Sequence, residues 1–113
     1  GSLLNLFDDG FIKGITATAP GFYGPQGRRL RMLLAYADLN ARLQKFNYKG
    51  KKVLNFEMET SGLYGLGRSL GHNTLTVCAV IANRIRKEYS QDHQQIIQQL
   101  IEIVLSKLAQ IDD

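Results

Sequence analysis

Two glutamates stand two residues apart where a β-type segment meets a helical one. Glu57 and Glu59 follow the run Val53-Leu54-Asn55-Phe56, and an extended backbone would direct both side chains to the same side. Paired carboxylates can act as acid and base, bind a cation or accept hydrogen bonds from sugar hydroxyls. The spacing does not choose among these roles, and either glutamate alone can simply stabilise the positive amino terminus of the following helix.

A second polar group lies in a glycine-rich loop over residues 21–28. Gln26 carries an amide that donates and accepts hydrogen bonds, and Arg28 carries a guanidinium with five donors. This pair suits a planar heterocycle with carbonyl and imide groups, against which Phe22 or Tyr23 could stack. The composition alone fits an exposed polar turn as well.

Other catalytic and metal sites find little support in the sequence. His72 and His93 are 21 residues apart and have no nearby Cys or His partner, so we predict no zinc site. The chain has no Gly-x-Ser-x-Gly elbow and no phosphate-loop lysine. Cys78 lies within an apolar run, and we interpret it as a core residue.

The composition indicates one compact domain with one core. The chain has 113 residues, of which 44% are hydrophobic, with 14 Lys and Arg against 10 Asp and Glu. These values exclude a disordered, collagen-like or disulfide-rich chain. A single cysteine cannot close an internal disulfide, so we expect a reducing, cytoplasmic location. The first two residues have the composition of a cloning remnant, which leaves 3–113 as the domain.

The basic residues form two separate clusters, at 28–31 and at 45–52. Nucleic-acid-binding domains usually concentrate such residues on one face together with stacking aromatic residues. We therefore expect most of the lysines to be solvated. The apolar run 77–82 is far shorter than the ~18 residues of a membrane helix.

The residue pattern predicts alternating strands and helices. We expect strands over 12–18, 52–56 and 74–82 and helices over 30–46, from Thr60 or Ser61 to Leu70, and over 91–109. This order predicts an α/β fold with a layered mixed sheet flanked by helices, the run 74–82 being a central strand. Ligands should then gather at the carboxyl ends of the strands. Three glycines in the second helix, at 62, 65 and 67, predict close approach to another element.

Four segments together resemble the carboxyl-terminal half of uridine phosphorylases, within the nucleoside phosphorylase superfamily. Their order and spacing fit across residues 14–84. The segments are Gly14-Ile15-Thr16-Ala17-Thr18, Phe22-Tyr23-Gly24-Pro25-Gln26-Gly27-Arg28, Asn55-Phe56-Glu57-Met58-Glu59 and Val80-Ile81-Ala82-Asn83-Arg84.

The resemblance implies a base site and a closing arginine. Gln26 and Arg28 match the pair that hydrogen-bonds the uracil edge, and Phe22 matches the aromatic residue beside the nucleoside. Ile81 matches an apolar residue of the base pocket. Arg84 matches an arginine that helps to close the site.

The ribose site implied by the resemblance lies at the second strand. Met58 and Glu59 match the residues that hold the ribose, with Glu59 on its hydroxyls. Glu57 matches a neighbouring pocket acid. We expect Gln26, Arg28 and Glu59 to be catalytic and the others to bind substrate.

The implied activity is reversible phosphorolysis of a pyrimidine nucleoside to the free base and ribose 1-phosphate. Such a pentosyltransferase of pyrimidine salvage uses inorganic phosphate as co-substrate and requires no metal or organic cofactor. We expect a homo-oligomer whose ligands are nucleoside and phosphate, without nucleic-acid or membrane partners. Asn83-Arg84 stands where purine-specific relatives usually have Ser-Asp, which favours a pyrimidine. A purine nucleoside phosphorylase, a nucleosidase relative and a non-catalytic α/β binding module stay open as alternatives.

The phosphate site of this family lies in the amino-terminal half, which the resemblance does not include. We therefore expect a carboxyl-terminal part of a larger enzyme, inactive alone, with exposed sheet edges that favour association.

Overall fold

The computed structural model describes residues 2–111, which form two compact units. One unit comprises Phe11–Thr74, and the other joins the residues up to Gly10 with those from Leu75 onward. Across both units, the helices are α1 (Ser2–Asn5), α2 (Leu39–Lys45), α3 (Thr60–Ser69) and α4 (His93–Leu108), with a 3-10 helix over Gly24–Gln26. The strands are β1 (Ile15–Thr18), β2 (Asn47–Tyr48), β3 (Lys51–Glu57), β4 (Ala82–Asn83) and β5 (Glu88–Tyr89). The chain is therefore a mixed α/β protein.

The first unit contains a three-stranded mixed sheet in the order β1-β3-β2. β1 pairs in parallel with β3, and Thr18 lies opposite Glu57. β2 and β3 form a hairpin around Lys49 and Gly50, whose φ values are +51° and +79°. Positive φ at both turn residues matches the right-handed twist of the strands, and the Gly50 N–H donates to Asn47 Oδ1 at 2.9 Å.

The glycine-rich helix α3 follows β3 directly. The predicted helix ending near Leu70 is confirmed within one residue, and Gly71 has a φ of +76° just beyond it. Gly67 is buried, and a Cβ built on it would lie 2.2 Å from Thr74 Cγ2. The predicted close approach is thus confirmed at Gly67. At Gly62 and Gly65 the predicted close approach is wrong, because a Cβ built there would meet no atom of the described residues within 4 Å.

The second unit contains α1, the β4–β5 hairpin and α4. Lys107 of α4 donates to the Leu6 carbonyl oxygen at 2.6 Å, and its Nζ lies 5.6 Å from the centre of the buried Phe7 ring. The predicted final helix is confirmed with slightly narrower bounds. The described helices include none that is both long enough and apolar enough to span a membrane.

The predicted central strand over 74–82 is wrong. Residues 72–81 have no regular secondary structure, and only Ala82 and Asn83 form a strand, paired antiparallel with β5. Cys78 is exposed and Val80 is 63% exposed, so the expected core position of Cys78 is also wrong. β-branched residues favour a strand only where a neighbouring strand completes the hydrogen-bond ladder, and within residues 2–111 no strand pairs with residues 74–81.

The predicted helix over 30–46 is confirmed only in its last part. α2 covers Leu39–Lys45, and the preceding residues 27–38 contain no helix or strand. Leu39 and Leu43 are half-buried, whereas Phe46 is exposed. Among the described residues, Phe7 and Ala19 are the only buried hydrophobic side chains. The core is therefore much smaller than the sequence predicts.

Candidate functional site

The carboxyl ends of β1 and β3 lie side by side. Thr18 is paired with Glu57 in the ladder, and the Ala19 N–H donates to the Glu57 carbonyl oxygen at 2.9 Å. The glycine-rich loop leaves the first strand here, and the Met58-Glu59 segment leaves the second. The parallel pairing therefore brings the starts of two predicted site segments to one edge of the sheet.

The loop folds back on itself through a turn of 3-10 helix. Pro25 suits the first turn of this helix, because it has no N–H to leave unpaired. Gly27 closes the turn with a φ of +72°, and a Cβ on it would lie 2.9 Å from Asn40 Nδ2. The loop thereby holds Gln26 and Arg28 close to Phe22.

Arg28 contacts two other residues that are predicted for the base site, Gln26 and Phe22. Its Nη1 donates to Gln26 Oε1 and to the Phe22 carbonyl oxygen, each at 2.5 Å. Its guanidinium carbon lies 3.8 Å from the centre of the Phe22 ring, which is cation–π geometry. Gln26 is only 5% exposed and Phe22 is 52% exposed. A cation, an amide and an aromatic ring thus form one cluster.

An apolar groove continues from this cluster along the irregular segment after the loop. Its lining includes Tyr23 and Arg28 together with Leu30, Met32, Leu33 and Tyr36.

Glu57 ends β3 with both carboxylate oxygens engaged. The Thr18 hydroxyl donates to Oε1, and the N–H groups of Glu59 and Thr60 donate to Oε2 at 2.6 Å each. Partial burial raises the pKa of Glu57, but the bonds from Thr18 and the two N–H groups outweigh it and hold the pKa at about 2 instead of 4.5. The Thr60 hydroxyl adds to this lowering, although its oxygen has no hydrogen-bond partner of ordinary geometry. Glu57 is therefore a carboxylate at neutral pH.

Glu59 has a different environment from Glu57. It is exposed and immediately precedes α3, with φ −124° and ψ −26°. Its Oε2 accepts the Met58 N–H at 3.2 Å, and the Met58 side chain is 43% exposed. The expected extended backbone through both glutamates is wrong, because the strand ends at Glu57 and the chain turns into the helix.

Ile81 and Arg84 belong to the second unit. Ile81 immediately precedes β4, and Arg84 lies in the turn between β4 and β5. Ile81 is 45% exposed, and its carbonyl oxygen accepts the Ser90 N–H at 2.8 Å. Asn83 Oδ1 accepts the N–H groups of Ile85 and Arg86 at 3.2 Å each, so its side chain forms the turn. Arg84 is half-buried in that turn. The predicted strand terminus at this point is thus a hairpin turn.

Thr18 is the site residue that the sequence reasoning missed. Two side-chain pairs lie on one face of the parallel strands, because Thr16 Oγ1 donates to Asn55 Oδ1 at 2.9 Å and Thr18 donates to Glu57. The signal in the sequence was the matched alternation of two threonines in β1 with an amide and a carboxylate in β3.

One known protein gives a clear match to the chain. It is uridine phosphorylase of Thermococcus kodakarensis, which is 40% identical over 78 residues. The match covers 69% of this chain and 27% of that protein, so the aligned part spans about a quarter of its length. No family model matches the chain, and no solved structure does. The match supports a relationship with nucleoside phosphorylases.

Proposed function

We propose that this chain is the base- and ribose-binding part of a uridine-type nucleoside phosphorylase, from its carboxyl-terminal half. The observation that carries the proposal is that the carboxyl ends of β1 and β3 are adjacent. The loop with Gln26 and Arg28 begins at one of these ends, and the segment Met58-Glu59 begins at the other. The identity with a uridine phosphorylase supports the same reading. The complete protein would act as a pentosyltransferase.

In the proposed reaction, a phosphate oxygen forms a bond to the anomeric carbon of the ribose as the bond from that carbon to the base nitrogen breaks. The electron pair of the broken bond moves onto the departing base. Arg28 supplies a fixed positive charge and Gln26 an amide beside it, so the two would stabilise the charge that the base gains in the transition state. Phe22 would contact the face of the ring.

The ribose would bind at Met58 and Glu59. The Glu59 carboxylate is exposed and can accept hydrogen bonds from sugar hydroxyls. The scheme assigns no role to a metal or an organic cofactor, and inorganic phosphate is the co-substrate. For Ile81 and Arg84 the proposal keeps the substrate-binding roles that the resemblance implies.

The isolated chain should bind ligand without turnover, because the family's phosphate site lies outside the segments that it resembles. We propose that the complete protein is a cytoplasmic homo-oligomer that salvages pyrimidines. The exposed apolar side chains of α3 and α4 fit this proposal, because surfaces of this kind are normally covered by other protein.

Titration of the chain with uridine, uracil and adenosine, followed by amide NMR shifts, tests the proposal. We expect uridine and uracil to shift the signals of residues 22–28, and Gln26→Ala or Arg28→Ala to weaken uracil binding about tenfold or more. Gln44→Ala and Arg29→Ala, at exposed residues of the same two types, serve as matched controls and should leave binding unchanged. Preference for adenosine would indicate a purine enzyme, and binding of none of the three compounds would overturn the proposal.

A second assay tests the reaction. Uracil release from uridine should depend on phosphate in the complete protein and be absent in the isolated chain. Turnover by the chain alone at the rate of the complete protein would contradict the proposed division of the site. Ligand binding without turnover in the complete protein would instead indicate a binding module.

A further inference from the structure

We propose that Glu57 is a positioning residue, which holds Met58-Glu59 in place for the ribose and does not itself bind substrate. This inference rests on the proposed function, because it takes Glu59 as the ribose ligand. It differs from the role that the resemblance implies, in which Glu57 is an acid of the pocket.

The hydrogen bonds of Glu57 join three elements. Through Thr18 its carboxylate reaches β1, and through the N–H groups of Glu59 and Thr60 it reaches the start of α3. The Thr18 oxygen also accepts the Ser61 N–H at 3.1 Å. One closed network, which we call the Glu57 clamp, therefore fixes the end of β3, the end of β1 and the first turn of α3.

The clamp acts directly on the backbone of the proposed ribose ligand. The Glu59 N–H is one of the two groups bound by Glu57 Oε2. The Cα that carries the Glu59 side chain is bonded directly to that nitrogen. Bonds to an ionised acceptor are the strongest hydrogen bonds of a protein. The position of the Glu59 Cα therefore depends on an ionised Glu57.

A direct contact between Glu57 Oε2 and the sugar would compete with this arrangement. Oε2 already accepts two N–H groups, which fill its roughly two lone-pair sites, and Oε1 accepts the Thr18 hydroxyl. Glu59, by contrast, is exposed and accepts one backbone N–H at 3.2 Å. The chemistry of the two glutamates thus separates into a positioning carboxylate and a binding carboxylate.

The test uses Thr18→Val, which removes the clamp's hydroxyl but keeps the side-chain shape and leaves Glu57 in place. The readout is the ratio of uridine affinity to uracil affinity, because only uridine carries the ribose. We expect Thr18→Val and Glu57→Gln each to lower this ratio about tenfold, with uracil affinity within about twofold of wild type. Thr18→Ser keeps the hydroxyl and should preserve the ratio.

Two controls separate positioning from general damage to the fold. Thr16→Val removes the equivalent bond to Asn55 one pair earlier on the same strand face, and it should not change the ratio. In a Glu59→Ala background the ratio should already be low, and Thr18→Val should lower it no further. A strand that is merely loosened would weaken uracil binding as well and would add to the effect of Glu59→Ala.

The outcomes distinguish this inference from the proposed function. Wild-type chain that binds neither uridine nor uracil overturns the proposed function and with it the role of Glu57. Wild-type binding with an unchanged ratio in Thr18→Val, but a lost ribose contribution in Glu57→Gln, overturns the positioning role alone and indicates direct contact of Glu57 with the sugar.

Discussion

Alanine at Gly67 and alanine at Gly65 should change the stability of the same helix in different directions. Both glycines lie within α3. A Cβ at Gly65 meets nothing within 4 Å, whereas a Cβ at Gly67 would lie 2.2 Å from Thr74 Cγ2 and 3.3 Å from Thr74 Cβ. The pair therefore holds helix propensity constant and varies only the space for one methyl group.

The magnitudes follow from two opposing terms. Alanine in place of glycine in a helix interior raises the free energy of unfolding by up to ~1 kcal/mol. Forcing a methyl group into an occupied site costs ~1–3 kcal/mol. Gly65→Ala should therefore stabilise the chain by ~0.5–1 kcal/mol, and Gly67→Ala should be neutral or destabilise it by up to ~2 kcal/mol.

Thermal or urea unfolding followed by circular dichroism measures both variants. A change of 1 kcal/mol moves the midpoint of a domain of this size by ~4–8 °C. Thr74→Ser removes the Cγ2 methyl group that a Cβ at Gly67 would meet, so Gly67→Ala in that background should be less destabilising than in the wild type. If Gly67→Ala stabilises the wild-type chain as much as Gly65→Ala does, the close contact between α3 and Thr74 is refuted.

Three further predictions concern the ionised clamp, the hairpin turn and the exposed faces. Because the pKa of Glu57 is lowered from 4.5 to about 2 in the fold, its contribution to stability is complete above about pH 4.5 and is lost as the pH falls towards 2. Urea unfolding of Glu57→Gln should show a weaker decline over this interval, and identical pH profiles would argue against the clamp. Asn83→Ala removes the acceptor of two turn N–H groups, so amide exchange at Ile85 and Arg86 should become faster, whereas the exposed Asn73→Ala should leave it unchanged. The mass measured by sedimentation should rise with concentration, since the apolar faces of α3 and α4 are exposed; a constant monomer mass would count against association.

Elements that depend on nearby residues could be predicted closely. The end of α3 follows from Gly71, which has a positive φ, and β3 differs from its prediction by one residue at each end. The run 74–82 failed because its composition specifies a strand only if a second strand lies beside it. Such pairing depends on residues far away in sequence, which composition and periodicity do not reveal.

In the candidate site, too, contacts between nearby residues could be predicted from the sequence, whereas contacts between distant residues could not. Gln26 and Arg28 are two residues apart in a tight turn, so their contact is local and the residue types anticipate it. The role of Glu57 depends on Thr18, which is 39 residues away. The spacing of Glu57 and Glu59 alone does not assign different roles to them. The register of β1 against β3 places the Thr18 hydroxyl on Glu57 and not on Glu59.

Exposed apolar residues on α3 and in the run 74–82 bear on the proposed function. The spacing of Leu63, Leu66 and Leu70 predicts one apolar face on α3, yet all three side chains are exposed. A periodic face indicates that a helix normally packs against something, and the β-type run 74–82 likewise has the composition of a strand that needs a neighbour. The aligned relative is several times longer than the matched region. The proposed function would account for both features at once, because a chain that is part of a larger enzyme would carry surfaces that another part of that enzyme covers.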